Sequence, residues 1–230
     1  MSLLLPGVVA SSHVTAAANG AIRINASGQR YTRSASGLNA DMSWCCWAKL
    51  AVNRATYSMI LSSDNAGSNY YASGAGADGT GYGRIMTGGD TSFFGKAFTV
   101  GAWVFIGAVH GSAVTDQMYW RLPGDSSISA ANGSDSASSG LFDANTFYIG
   151  DWGFSSWWNG SIAAVKIWTA ALTQSEIDAE RSTYAAVRTS NLWAAYSFRN
   201  GVQTTDDSGN SRTLTQTGTP ILDSSGPPIT

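Results

Sequence analysis

The sequence predicts an all-β protein, a two-sheet antiparallel β-sandwich of the jelly-roll kind. Short segments of alternating apolar residues recur from Ala21 to about Ile167, and Gly, Asn and Ser separate them, as in strands joined by turns. One short helix is signalled, near residues 174–187. A parallel α/β fold would need helices that alternate with strands, so the pattern favours antiparallel sheets.

The predicted strands lie at 21–25, 42–50, 57–61, 98–110, 118–122, 146–149, 162–168, 192–198 and 212–217. In the second of these, Trp44 lies on one face and Trp47 on the other, because successive side chains of a strand point to opposite faces. An aromatic side chain on each face predicts that this strand is buried on both sides.

Two stretches rich in small residues are predicted to be loops. Residues 73–83 contain five glycines, but they lack the Gly-Lys-Ser/Thr ending of a phosphate-binding loop. Residues 124–140 are rich in Ser, Ala, Asn and Asp and show no periodicity. The second stretch is therefore predicted to be a surface loop.

A capping box marks the start of the helix. Thr173 precedes Glu176 by three residues, so the hydroxyl can accept from the helix backbone while the carboxylate reaches back to the cap. Apolar residues then recur at near-helical spacing as far as Val187. This pattern predicts a helix over 174–187.

Composition excludes several classes of protein. The net charge is -2, and charged residues make up 12% of the chain, about half the usual share of a globular protein. With three lysines and no basic stripe, the sequence argues against nucleic-acid binding. No apolar run approaches the roughly 18 residues needed to span a bilayer.

The two cysteines and the first residues bear on the compartment. Cys45 and Cys46 are adjacent, so on a strand they point to opposite faces and are predicted to be unpaired. The lack of a disulfide framework favours a reducing compartment, as for a virion protein or a bacterial cytosolic product. Residues 1–19 are interpreted as an N-terminal arm, because the first basic residue is Arg23; a signal peptide is the alternative, given the alanines at 16–18.

Several segments, taken in their order along the chain, resemble those of a known family. The late ones are Phe147-Tyr148-Ile149-Gly150-Asp151, then 158–168, which ends in Val165-Lys166-Ile167-Trp168, and then Leu172-Thr173-Gln174-Ser175-Glu176-Ile177. Upstream, 42–47 reads as a first core strand and 103–109 as a central Trp-led strand. Together they resemble the concanavalin A-like jelly rolls of the laminin-G-like and pentraxin group, over about residues 20–185.

The resemblance implies a single laminin-G-like jelly-roll domain over residues 20–230. Residues 191–198 and 207–210 depart from the family order, because they look like the segment that usually opens such a domain. We expect 191–230 to add C-terminal strands to the same sandwich. The alternative is that this segment leads into a neighbouring domain.

The residues available for catalysis are few, so no enzyme is predicted. A glycosidase needs two carboxylates that face a sugar cleft, and the only glutamates, Glu176 and Glu180, lie on the predicted helix. An aspartate pair keeps hydrolysis open as an alternative. His13 and His110 are too few for a metal cluster, and His110 is interpreted as a hydrogen-bonded residue at a strand end.

The resemblance also implies a calcium site. Asp64 and Asn65 follow a strand, as in the pentraxin pattern in which an Asp-Asn pair binds calcium. Asp151 lies where that family places further oxygen ligands. Calcium takes six to eight oxygens, so three side chains with backbone carbonyls would form a site. The alternative is turn chemistry, because Asp and Asn favour loops.

Aromatic residues in two predicted loops are the candidate ligand contacts. Aromatic rings on the loops of a rigid sandwich offer contact area at low entropic cost, as in sugar stacking or protein contacts. Trp158 precedes an Asn-Gly turn and is predicted to point inward. The predicted ligand-binding residues are Trp152, Trp157, Tyr70, Tyr71 and Tyr82.

These observations predict a non-catalytic surface-binding module. Low charge, unpaired cysteines and Ser/Thr/Gly-rich loops favour a phage-type virion surface protein, such as a decoration, fibre or tail component. The expected partner is a glycan or a protein surface, including a capsid or tail lattice, and homo-oligomers are expected. The alternatives are a secreted bacterial lectin-like module and, third, a glycan-cleaving enzyme. Either leading class would place the protein on a virion surface or outside the cell.

Overall fold

The β-sandwich predicted from the sequence is confirmed. The computed structural model describes residues 19–38, 41–54, 56–64, 71–75, 82–87, 90–111, 114–136, 146–151 and 156–229. In these residues, two antiparallel sheets face each other and one short α-helix covers the outer side of the first sheet. No described helix has the length and apolar character that a membrane crossing needs.

The strands in chain order are β1 (Ala21–Ile24), β2 (Arg30–Ser34), β3 (Met42–Leu50), β4 (Ser58–Asp64), β5 (Tyr71–Ala75), β6 (Tyr82–Thr87), β7 (Asp90–Ala97), β8 (Trp103–Gly111), β9 (Val114–Arg121), β10 (Ser129–Ser136), β11 (Thr146–Ile149), β12 (Gly160–Trp168), β13 (Leu192–Tyr196), β14 (Thr215–Thr217) and β15 (Ile221–Asp223). Sheet A has the order β10-β9-β8-β3-β12-β1-β15, and β13 also pairs with β12. Sheet B has the order β14-β2-β11-β4-β5-β6-β7.

Strand β3 of sheet A is buried on both faces, as its two tryptophans predicted. Trp44 and Cys46 point into the inter-sheet core, whereas Cys45 and Trp47 point to the opposite face. That opposite face carries a second apolar cluster, the outer cluster, which the α-helix covers. Its members are Ala21, Cys45, Trp47, Phe105, Val109, Tyr119, Ile128, Ala163, Ala164, Trp168, Leu172 and Ile177.

Both cysteines are unpaired, as the sequence predicted, and both are buried. Burial raises the pKa of the Cys45 thiol to about 12, because the apolar surroundings disfavour the thiolate. Burial also raises the pKa of Cys46 well above its usual value. At neutral pH both side chains therefore behave as small apolar groups.

The helix begins where the capping box predicted but ends earlier. Helix α1 spans Gln174–Ala179, and a 3₁₀ turn follows at Glu180–Ser182, so the predicted end at Val187 is wrong. Glu180 is buried and forms an ion pair with Lys166 of β12, 3.0 Å between Nζ and Oε2. The helix ends here because this ion pair holds Glu180 against sheet A.

The Lys166–Glu180 pair also organises the segment after the helix. The Lys166 Nζ donates to the carbonyls of Glu180 and Thr183, each at 2.8 Å. The Glu180 carboxylate accepts from the backbone N–H groups of Val187 and Arg188. Both charges are thus hydrogen-bonded, as a buried pair must be to avoid a large desolvation cost.

The two stretches predicted to be loops contain strands. Residues 71–75 and 82–87 form β5 and β6, and residues 129–136 form β10 at the end of sheet A. Their Gly, Ser, Ala and Asn residues have low β-propensity, so the pattern concealed them. Pairing with a neighbouring strand, such as Ser129 with Trp120 of β9, creates the extended structure instead.

The C-terminal segment contributes to both sheets. Strand β13 pairs with β12 and β15 with β1 in sheet A, while β14 pairs with β2 in sheet B. Asp206 holds the turn before β14, because its carboxylate accepts from the backbone N–H groups of Ala195, Ser208 and Arg212. Residues 192–223 are therefore part of the sandwich.

Candidate functional site

A cleft of about 460 Å³ lies on the outer side of sheet A, beside the 3₁₀ turn. We call it the Trp103 cleft. It combines aromatic rings, prolines and charged side chains. Its lining residues are Trp47, Trp103, Arg121, Leu122, Pro123, Gly124, Asp125, Arg181, Gly226 and Pro228.

Strand alternation places the aromatic rings in the cleft. In the β3–β8 pairing, Lys49 lies opposite Trp103, and Trp47 lies opposite Phe105. All four side chains therefore emerge on the outer face of sheet A. The rings of Trp47 and Phe105 pack with centroids 5.5 Å apart, which gives the cleft an apolar floor.

Trp103 is partly exposed, and its ring is held in place. Its Nε1 donates to the carbonyl of Ser225 at 2.9 Å, and the Lys49 ammonium lies 4.9 Å from the ring centroid. Lys49 in turn forms an ion pair of 2.7 Å with Asp223 of β15. With its N–H satisfied, the indole has only an apolar surface left to offer a ligand.

A tight turn forms one wall of the cleft. Pro123 and Gly124 are its central residues, and Gly124 has a φ of 89°, the conformation that a type II turn requires at its third position. The Asp125 N–H donates to the Leu122 carbonyl at 3.1 Å, and the Leu122 N–H donates to the Asp125 carboxylate at 3.0 Å. The wall is therefore rigid.

Two arginines provide the polar groups of the cleft. The Arg121 Nε donates to the Asp125 carbonyl at 3.1 Å, and the Arg181 Nε donates to Asp178 at 3.0 Å. An Arg121 Nη lies 3.9 Å from the same Asp178 oxygen. The Asp178 carboxylate thus orients Arg181 and lies within ion-pair distance of Arg121.

The tryptophans that the sequence analysis singled out do not line the Trp103 cleft where the structure describes them. Trp157 is partly buried against the inter-sheet core, and the Arg54 guanidinium lies 4.3 Å from its ring centroid. Trp158 is buried, as predicted, and its ring meets Phe98 edge-on with centroids 6.3 Å apart. Trp152 lies outside the described residues.

The predicted tyrosines do not all lie at one end of the sandwich. Tyr71 is paired with Ser63, near the end of β4. Tyr82 is the first residue of β6, one position beyond the residue that is level with Ser58 at the start of β4. Trp157 bridges to Met59, so it shares the Tyr82 end. Tyr70 lies outside the described residues.

The strand register separates the three residues of the predicted calcium site. Asp64 is opposite Thr146, whereas Asp151 follows the other end of β11, at Ile149. The step from Thr146 to Ile149 alone covers about 10 Å. Asp64 and Asp151 therefore belong to opposite ends of β11, and Asn65 lies outside the described residues.

Asp151 has a structural contact where a calcium ligand was expected. It is buried, and its carboxylate accepts from the Gly28 N–H at 3.1 Å. Among the described residues, no group of three or more His, Cys, Asp or Glu side chains is placed to hold a metal ion.

His110 is buried at the end of β8 and hydrogen-bonded, as interpreted from the sequence. Its Nδ1 lies 2.6 Å from the carboxylate of Asp116 on β9, and both side chains are almost fully buried. The pair lies within the sandwich and does not line the Trp103 cleft.

The cleft residues were missed because the sequence interpretation sought aromatics in loops. Their signal lay in β8, where Trp103, Phe105 and Gly107 share one face. A glycine inside an apolar strand marks a close approach of another element. A Cβ on Gly107 would lie 3.1 Å from Ile177 of α1, so this face is where the helix docks and the cleft begins.

Sequence comparison identifies a family for most of the chain. A model of the concanavalin A-like lectin/glucanases superfamily, of laminin G type, matches residues 19–178. A search of curated proteins finds no match. The matched region ends within α1, before the three C-terminal strands.

Solved structures share the fold at low sequence identity. An inferred carbohydrate-binding protein from Bacteroides ovatus is 13% identical, with a TM-score of 0.64 over 90% of this chain and 60% of that one. The heptameric SAP-like pentraxin of Limulus polyphemus is 13% identical, with a TM-score of 0.53 over 89% of this chain and 94% of that one.

A phage protein also contains this fold. The enzymatically active domain of tailspike protein 2 from bacteriophage CBA120 is 10% identical, with a TM-score of 0.54 over 71% of this chain and 27% of that one. The chain thus spans 60% of the length of the Bacteroides protein and about a quarter of the tailspike domain. At these identities the likeness concerns the fold.

Proposed function

Since the chain belongs to the concanavalin A-like lectin/glucanase superfamily, we propose that it is a non-catalytic binding module whose Trp103 cleft holds a glycan. The observation that carries the proposal is the partly exposed Trp103 ring at the mouth of a cleft with an apolar floor and a few polar groups. Small-ligand sites combine these features, because apolar surface supplies affinity and polar groups supply orientation.

The polar groups of the cleft suit a sugar. A pyranose has apolar C–H faces and hydroxyls at its edge, so one face can cover the Trp103 ring while the hydroxyls meet charged side chains. Arg121 and Arg181 supply donors, and Asp125 supplies an acceptor. Because the ring and the turn at Pro123 are held before any ligand arrives, binding loses little entropy.

The carboxylates support a role without catalysis. Glycoside hydrolysis uses two carboxyl groups on either side of the scissile bond, whereas Asp125 is the one carboxylate among the described residues that line the cleft. Glu176 is part of the capping box, and Glu180 is buried in its ion pair with Lys166. Both glutamates thus have structural roles.

The setting we propose is the surface of a virion of the phage type, as a decoration, fibre or tail component. This proposal is supported by the low proportion of charged residues and by two cysteines that are buried and unpaired. The genes beside the coding sequence test it. Capsid and tail genes are expected there, whereas secretion and polysaccharide-degradation genes would contradict it.

The glycan proposal is tested on an array of bacterial, plant and animal glycans, followed by calorimetry with each glycan that binds. Trp103→Ala is expected to weaken affinity about tenfold or more, because the stacking surface is lost. Trp103→Phe, which keeps a ring but loses the N–H, is expected to retain most of the binding. Thermal melting of each variant separates lost contact from lost fold.

The matched control is Tyr148→Ala on β11 of sheet B. Tyr148 is also partly exposed and has a cation, Arg30, 5.6 Å from its ring centroid. Its removal is expected to leave binding unchanged. If instead Trp157→Ala abolishes binding and Trp103→Ala does not, the ligand binds the loop aromatic residues predicted from the sequence.

A further inference from the structure

We infer that the glycan held by the Trp103 cleft is anionic and that its carboxylate or sulfate group is bound between Arg121 and Arg181. The inference rests on the proposed function and defines its ligand class. It follows from the positions and the unused donors of the two arginines that line the cleft.

Arg121 presents its guanidinium to the cleft in a set orientation. It lies opposite Phe105 in the β8–β9 pairing, so it emerges on the outer face of sheet A beside the apolar floor. Its Nε bond to the Asp125 carbonyl anchors the group at the rigid turn. About four-fifths of the side chain is buried, so its position is well determined.

Arg181 also lines the cleft and lies on the 3₁₀ turn. Its backbone carbonyl accepts the Nε1 hydrogen bond of Trp47 at 2.9 Å, which fixes this turn above the aromatic floor. Its Nε bond to Asp178 orients the guanidinium, and 36% of the side chain is exposed.

The Nη groups of the two arginines carry the unused donors. Each guanidinium has five N–H donors, and in both residues the Nε–H is the one with an acceptor. Among the described residues, no acceptor lies within hydrogen-bond distance of any Nη atom of Arg121 or Arg181; the nearest ion-pair distance is 3.9 Å, from Arg121 to Asp178. Two such groups form a fork that matches the planar, bidentate geometry of carboxylates and the oxygens of sulfate.

The charged groups around the cleft leave the Nη donors of both arginines open to a ligand. The charged side chains that line it are two arginines and one aspartate, Asp125, whose Oδ2 already accepts from the Leu122 N–H. Asp178 forms an ion pair with Arg181 and lies 3.9 Å from Arg121, and Lys49 is neutralised by Asp223. With Asp178 counted, the positive and negative charges at the cleft balance, so an anion would be held by the unused Nη donors and not by an excess of positive charge.

The test uses an array that contains uronic-acid, sialylated, sulfated and neutral glycans. We expect the glycans that bind to carry an acidic group, and the uronic-acid, sialylated and sulfated sets distinguish its source. Affinity for a bound glycan is expected to fall when sodium chloride is raised from about 0.05 to about 0.5 M, because salt screens charge attraction. Chemical reduction of the carboxyl groups to alcohols is expected to abolish binding of a uronic-acid glycan.

Single substitutions locate the acid group. Arg121→Gln and Arg181→Gln are each expected to weaken affinity for the acidic glycan about tenfold or more, since a charge-assisted hydrogen bond is lost. The control is Arg33→Gln on sheet B, which makes the same charge change away from the cleft; there the guanidinium donates to the Thr213 carbonyl. Melting temperatures show that each variant is folded.

The outcomes separate this inference from the proposed function. Binding of neutral glycans alone, with dependence on Trp103, would overturn the anionic ligand and leave the glycan site intact. Acidic glycans that bind independently of Arg121 and Arg181 would also overturn it. If no glycan on the array binds, the proposed function itself is wrong. Binding of a protein at the cleft, in place of any glycan, would likewise contradict the proposed function and would show that the cleft recognises a peptide.

Discussion

Trp158 shows at the residue scale how two neighbouring tryptophans have different roles. Its side chain is buried, whereas Trp157 is partly buried beneath Arg54. The backbone of the pair is held in place, since the Trp158 N–H donates to the Gly150 carbonyl at 2.7 Å. Burial, and not proximity in sequence, thus determines what each ring contributes to stability.

We predict that Trp158→Ala lowers the free energy of unfolding by about 3–5 kcal/mol, because a large buried side chain is replaced by a cavity. Trp157→Ala is expected to cost less, since its ring loses fewer contacts. Urea unfolding of the two variants measures the difference. Equal losses would show that the two rings are buried to the same extent.

Helix α1 shows at the element scale how a short helix is stabilised at both ends. Its first turn is closed by the capping box, in which the Glu176 carboxylate accepts from the Thr173 N–H at 2.8 Å. Ile177 packs on Gly107 of β8, and Glu180 ends the helix through Lys166. Local capping and tertiary contacts thus determine its start and its end, respectively.

Thr173→Ala is expected to lower the free energy of unfolding by about 1 kcal/mol, because the N-cap hydroxyl is lost. Thr173→Ser keeps the hydroxyl and is the matched control, with little change expected. Chemical denaturation measures both. A serine variant as unstable as the alanine variant would indicate that the threonine methyl group, and not the cap, is responsible.

At the scale of the whole molecule, the C-terminal segment contributes strands to both sheets and also lines one side of the cleft. Asp223 of β15 binds Lys49 of β3, and the adjacent Ser225 accepts the Trp103 hydrogen bond. Burial alone would raise the pKa of Asp223, but hydrogen bonds from Lys49, Ser161 and Ser225 together hold it well below its usual value.

Because of this low pKa, the free energy of unfolding depends on pH in the acidic range. The unfolded chain takes up the proton on Asp223 at a higher pH than the folded protein does, so the stabilisation is complete above the unfolded pKa of about 3.9 and is lost as the pH falls below it. Asp223→Asn is therefore expected to lower stability at pH 7 and to reduce its decline in acid. Melting temperatures between about pH 7 and pH 2 measure this. An unchanged acid decline in the variant would assign it to other carboxylates.

The sequence by itself determined the features that depend on neighbouring residues. Alternation predicted β3 and β11 with the bounds that the structure has, and the Thr173–Glu176 spacing predicted the start of α1. The opposite faces of Cys45 and Cys46 followed from the same period of two. Such patterns are local, because each is set by residues a few positions apart.

Only the tertiary structure decided the features that depend on distant residues. The Trp103 cleft joins β3, β8, the turn at Pro123, the 3₁₀ turn and Pro228, whose meeting depends on strand register and on helix docking. The same register separates Asp64 from Asp151, although a family pattern grouped them. The strands in glycine-rich stretches, β5 and β10, likewise form through pairing with neighbours. No local period encodes such contacts, because packing between distant segments creates them.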